Sequence, residues 1–212
     1  MKKIARIAFV CLFISAVETA SAQIKTDLFN PVRSAVTSQK IAPDARAGGM
    51  GDVGVATEAD VASQFWNPAK YPFAISRAGV SLNYTPWLRQ LVNDIDLAYL
   101  AGYYRIGDYS ALSGSIRYFS LGEVFTTPSA GDPNPMSIRP YEMSVDVAYS
   151  LMLSEKFSIA AGVRWIYSDL TYRYTDDTSP GSAFAADLGL YYQNYVNLGQ
   201  RECQLGLGLN IS

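Results

Sequence analysis

The chain has 212 residues, a net charge of −2 and no histidine. Without histidine it cannot build a His-based catalytic triad or a His-ligated metal site. With no basic run after its N-terminus, it offers no electrostatic footprint for nucleic acid. Aromatic residues make up 13% of the chain, and 15 of its residues are tyrosine, a composition common in outer-membrane strands.

The N-terminus carries Lys2, Lys3 and Arg6, then the short apolar run 7–17, then Ala20-Ser21-Ala22 before Gln23. A positive start, a brief apolar stretch and small residues at a cleavage point predict a secretory signal peptide over 1–22, too short to span a membrane. Cleavage leaves Cys203 as the single cysteine, so the mature chain can form no internal disulfide.

Residues 23–77 are irregular, with short helical pieces expected around 45–50 and 58–65. The run Gly49-Met50-Gly51-Asp52-Val53-Gly54 matches G-x-G-x-x-G. Dinucleotide binding needs a strand before that run and a helix after it. Pro43-Asp44-Ala45-Arg46 precedes it instead, so these glycines are expected to permit a tightly folded segment.

From Gly79 the hydrophobic period becomes two. Val80, Leu82 and Tyr84 oppose Gly79, Ser81 and Asn83. In the next strand Ile95, Leu97, Tyr99, Ala101 and Tyr103 form a greasy, aromatic set opposite Asp94, Asp96, Ala98, Leu100 and Gly102. Later alternations centre on 112–118, 141–151, 157–168, 184–192 and 203–211. These make about seven strands of roughly 8–12 residues, long enough to cross a bilayer at a tilt. Tyr84, Tyr103, Tyr118, Tyr141, Tyr149, Trp165, Tyr167 and Tyr192 fall near strand ends on the apolar side, as interfacial girdles do. The other side mixes small residues with Asp94, Asp96, Arg117, Glu142, Asp146, Arg164 and Asp187, which are expected to pair in a lumen. Cys203 falls on the apolar side as a small hydrophobe.

The connections alternate long and short: 85–93, a tight turn at Gly107-Asp108, 121–139, a tight turn at Ser154-Glu155-Lys156, then 169–181. That rhythm fits outer loops and periplasmic turns, although 193–201 is long for a turn. The predicted fold class is all-β, an antiparallel transmembrane β-barrel with a small, partly helical N-terminal plug. An odd strand count leaves an open edge, so 78–212 is expected to be the first half of a barrel whose remainder lies beyond the chain.

The stretch ARAGGMGDVGVATEADVASQFWNPAKY (45–71) resembles the N-terminal signature of FadL-like outer-membrane proteins, with Trp66, Asn67, Pro68 and Ala69 as its last element. The resemblance implies that 23–77 folds as a plug or hatch. Asn67 before Pro68 disfavours continuation of the helix. Thr85-Pro86-Trp87-Leu88-Arg89, then Leu91-Val92-Asn93-Asp94 and the 97–103 run, narrow the likeness to the PorV (LptO) family of type IX secretion, from about residue 30 onward. Membership would imply a FadL-like barrel of about fourteen strands when complete.

It would also imply a shuttle in the outer membrane, without chemistry, catalytic residues or cofactor. Such a protein accepts secreted cargo through its C-terminal signal domain at the translocon. It delivers that cargo to a surface complex whose sortase attaches it to lipopolysaccharide. On this likeness Trp87, Leu88 and Arg89 in the first outer loop are expected to contact the partner. The alternative for Trp87 is a place in the interfacial belt. The wider superfamily implies a second function, transport of hydrophobic small molecules. That would need a continuous apolar channel, whereas the expected inward set is small and polar.

Overall fold

The computed structural model describes residues 36–87, 94–126, 136–170, 179–199 and 201–212. The expected signal peptide, Leu88 and Arg89 lie outside the described residues. Seven strands form one antiparallel sheet curled into a half-barrel: β1 (Ala78–Pro86), β2 (Ile95–Ile106), β3 (Ser110–Leu121), β6 (Tyr141–Ser154), β7 (Phe157–Asp169), β8 (Gly181–Leu198) and β9 (Arg201–Ile211). They pair in that order, each with its sequence neighbour in the sheet. Between β3 and β6 the chain makes a small hairpin, β4 (Val124–Thr126) with β5 (Met136–Ile138). This hairpin lies within the 121–139 connection, where the sequence shows no alternation. No helix among the described residues is long and apolar enough to cross a membrane.

Each strand alternates because successive side chains point to opposite faces. Register then carries each face across the sheet. Val80, Gly102, Gly114, Val147, Val163 and Ala186 form one outward row, and Ser81, Ala101, Ser115, Asp146, Arg164 and Ala185 lie inward. The outward face is apolar and bare: Val80 is 77% exposed, Leu82 73% and Phe184 84%. At the long-loop end, outward rings line up across strands. Tyr118 stacks on Tyr141 with centroids 5.6 Å apart, and Tyr167 lies 5.9 Å from both Tyr141 and Trp165. Tyr104, Tyr149 and Tyr192 occupy the same face towards the short turns. There Gly107 takes a φ of +72° in the tight turn between β2 and β3, a conformation glycine adopts without steric cost.

One strand is inverted relative to expectation. Leu97, Tyr99, Ala101 and Tyr103 of β2 point inward and are buried, while Asp96 points outward. The outward Tyr84 hydroxyl donates to Asp96 at 2.6 Å. Asp94 precedes the strand and accepts the Glu123 N–H at 2.5 Å, outside the lumen. The cause is that both alternating sets of β2 are largely apolar, so the period alone does not orient it. Register opposite Ser113 and Arg117, and the apolar partners supplied by the N-terminal segment, select the larger set for the inside.

Candidate functional site

The inward face of the sheet is covered by residues 36–77, and the seat of that segment is Asn67-Pro68-Ala69. Asn67 has an extended backbone and caps the following 3-10 segment Pro68–Phe73: its Oδ1 accepts the Ala69 N–H at 3.1 Å. Proline suits the first position of that segment because it has no N–H to leave unpaired. The rest of the motif reaches the wall. Asn67 Nδ2 donates to the carbonyls of Leu190 (2.9 Å) and Val55 (3.2 Å). Ser150 Oγ on β6 donates to the Pro68 carbonyl at 2.7 Å, and Ser158 Oγ on β7 donates to the Ala69 carbonyl. Three consecutive residues thus bond to β8, β6 and β7, and all three are buried.

The wall is shaped for this contact. A Cβ at Gly189 would lie 2.5 Å from Asn67 Oδ1, and one at Gly208 would lie 2.2 Å from the Val55 carbonyl oxygen. Ala69 packs with Ala160 and Tyr191 in one small core. In another, Tyr71 stacks on Tyr103 with centroids 4.6 Å apart, beside Ala74 and Ala111.

Trp66 fastens the segment to itself. Its Nε1 donates to Asp44 Oδ1 at 3.0 Å, while Asp44 Oδ2 accepts the Ala47 N–H at 2.9 Å and caps the short helix Ala45–Gly49. The indole lies against Gly54, where a Cβ would meet the ring at 2.2 Å. Lys70 is fully buried and donates to the Gly54 carbonyl (2.6 Å) and Thr57 Oγ1 (3.2 Å). Burial of its ammonium pulls the pKa down to about 8, an effect only partly offset by Asp60. Burial likewise holds the Tyr71 hydroxyl well above its ordinary value.

The inward charges act on the segment rather than on open solvent. Arg117 Nη2 donates to the carbonyls of Ser38 and, at 2.9 Å, Ile41, and its guanidinium lies over the Phe65 ring at 5.5 Å. Gln64 Nε2 donates to Asp146, which also accepts Ser115 Oγ at 2.6 Å. Arg164 and Asp187 pair at 2.7 Å. Among the described residues, no three His, Cys, Asp or Glu side chains gather as metal ligands would.

Trp87 follows Pro86 and keeps β1's ladder, its N–H donating to the Ile95 carbonyl at 2.8 Å. It is half-buried. With the inward Thr85 it lines a pocket of about 440 Å³ shared with Lys40, Ile41, Asp44 and Asp52 of the segment. It therefore belongs to the inward side at the loop end. Sequence reasoning singled out Asn67, Pro68 and Ala69 but not Ser150 and Ser158, which bond them, Gly189, which makes room for Asn67, or Lys70, which ties the segment to Gly54 and Thr57. The serines were legible as inward positions, but nothing in a two-residue period marks which inward serine meets a carbonyl.

A family model described as type IX secretion system protein PorV matches residues 25–211. No curated protein matches the chain.

Proposed function

Because the chain belongs to the PorV family of type IX secretion system proteins, we propose that it is an outer-membrane carrier that receives secreted cargo and passes it on, without chemistry of its own. In this reading 1–22 is a cleaved signal peptide, 23–77 is a plug, and 78–212 is barrel wall. Cargo is recognised through its C-terminal signal domain at the translocon. It is then handed to the sortase-containing attachment complex at the surface. Trp87, with Leu88 and Arg89 beyond it, is the part of the first outer loop assigned to partner contact.

The observation that carries the proposal is the division of labour between the two faces. Outward, Tyr141 and Tyr149 of β6 stand eight residues apart, about 27 Å along a strand and roughly 20 Å across a bilayer at barrel tilt. That is close to the apolar band of an outer-membrane barrel, about 25 Å tall. Inward, the apolar residues of β2 are spent on the segment: Leu97 and Tyr99 are each 1% exposed. A fatty-acid path needs such surface to stay open. A wall that faces lipid and is closed inside suits a carrier working at its rim.

The test is recovery of the protein from outer membranes in mild detergent, with its companions identified by mass spectrometry. Large secreted proteins sharing a C-terminal domain, together with translocon or sortase subunits, are expected. Recovery of the barrel alone with fatty acids bound would replace this reading by hydrophobic transport.

A further inference from the structure

The pocket at the loop end of β1 has a fixed floor and a lining with two carboxylates and one ammonium. Arg117 holds the backbone carbonyls of Ser38 and Ile41, so the floor at Ile41 is anchored to the wall. Asp44 is 7% exposed and cannot swing away, because Trp66 Nε1 and the Ala47 N–H occupy its two oxygens. Asp52 stands at the pocket with φ +59°, its own N–H donating to the Ala47 carbonyl at 2.8 Å. Against these two carboxylates the lining sets one ammonium, Lys40, which is exposed and has solvent to turn into, while the Arg117 guanidinium beneath the floor is buried and bonded through Nη2 to the Ser38 and Ile41 carbonyls. The indole of Trp87 completes the wall.

We propose that this pocket binds a lysine or arginine side chain presented by a protein partner. The choice of a cation follows from the lining. Two carboxylates repel an anionic guest and attract a cationic one, and an indole adds attraction for a cation near its ring. The long aliphatic stem of such a side chain matches Ile41 and Ala45, leaving the charged head for the exposed Asp52, with Asp44 behind it adding to the attraction at a distance. The proposal rests on the carrier reading for the statement that this end meets partner proteins. The chemistry of the pocket does not depend on it.

The protein extracted whole in mild detergent is titrated with Nα-acetyl-lysine methylamide, and with the norleucine and glutamate counterparts as controls, by saturation-transfer NMR. The lysine probe is expected to bind about three- to ten-fold more tightly than the norleucine probe, the sum of a cation–π contact and a partly exposed ion pair. Asp52→Asn should remove most of that preference. Asn tolerates positive φ, so the variant keeps its fold. Lys40→Gln should enlarge the preference. Equal binding of the lysine and norleucine probes, stronger binding of the glutamate probe, or a lysine preference untouched by Asp52→Asn each overturns the pocket. A lysine preference that obeys both variants, in a protein that recovers no secreted cargo, keeps the pocket and overturns the carrier reading. Recovered cargo without a lysine preference does the reverse.

Discussion

The hydroxyl of Ser150 donates to the carbonyl of Pro68 at 2.7 Å. This bond joins two residues 82 positions apart, one on β6 and one in the N-terminal segment. It belongs to a set of three, with Ser158 on Ala69 and Asn67 on Leu190. The segment is therefore held across three strands by its own backbone carbonyls and one amide side chain, in a place from which water is excluded.

Removing the Ser158 hydroxyl leaves the buried Ala69 carbonyl without a donor, because the residue three on is Pro72, and removing that of Ser150 takes one donor from the buried Pro68 carbonyl. Ser150→Ala and Ser158→Ala should each destabilise the seated segment by about 1–3 kcal/mol. Denaturant unfolding in detergent, followed by the rate of protease cleavage within 36–77, measures this. Cleavage at the wild-type rate in both variants would show that the bonds do not hold the segment.

Gly189 and Asn67 should behave as a coupled pair. Gly189→Ala places a Cβ 2.5 Å from Asn67 Oδ1, so Asn67 must leave its position and give up its bonds. Once Asn67→Ala has emptied that position, adding Gly189→Ala should do little further harm. A double-mutant cycle on unfolding free energy is expected to give a coupling of about 1–3 kcal/mol. Simple additivity would contradict the contact.

Lys70 gives the segment a pH dependence of definite sign. Its pKa falls from 10.5 when unfolded to about 8 when seated. Between those values the unfolded chain binds more protons, so stability rises with pH from about 8 to 10.5 and is flat below 8 on account of this residue. The full rise is about 3 kcal/mol. It should vanish in Lys70→Met, so the difference between wild-type and variant unfolding curves over pH 7.5–10 isolates it. Tyr71 adds an opposite slope near pH 10, because burial keeps its hydroxyl protonated in the fold while the unfolded phenol begins to ionise, and this slope is common to both proteins and cancels in the difference.

A charge placed at mid-height on the outward face separates a lipid-facing wall from a wet one. Val163 is 64% exposed in the middle outward row. In a bilayer Val163→Arg should cost about 2–4 kcal/mol, whereas on a water-exposed sheet it would change stability by about 0.5 kcal/mol or less. Quantifying folded barrel in outer membranes distinguishes the two. Normal assembly of the arginine variant would argue against lipid contact.

The strands and their order followed from the sequence because a half-buried strand must alternate, and tight turns such as Gly107-Asp108 force neighbours to pair. β1, β3, β6, β7, β8 and β9 also have one polar or small-residue face, so their orientation was legible. In β2 both faces are largely apolar, with Asp96 at the end of one of them, and there the period is silent about which one turns inward. The Asn67-Pro68-Ala69 motif could be picked out as a stop to the helical piece, because proline restricts the residue before it.

What only the tertiary structure decided is who meets whom across long sequence separations. Tyr103 turns inward because Tyr71 waits there to stack on it. Gly189 lacks a side chain because Asn67 occupies that space, and Ser150 serves a carbonyl 82 residues away. Alternation is a local consequence of backbone geometry and can be read along the chain. These pairings depend on the sheet's curl bringing its inner face around the segment, and no local pattern records that.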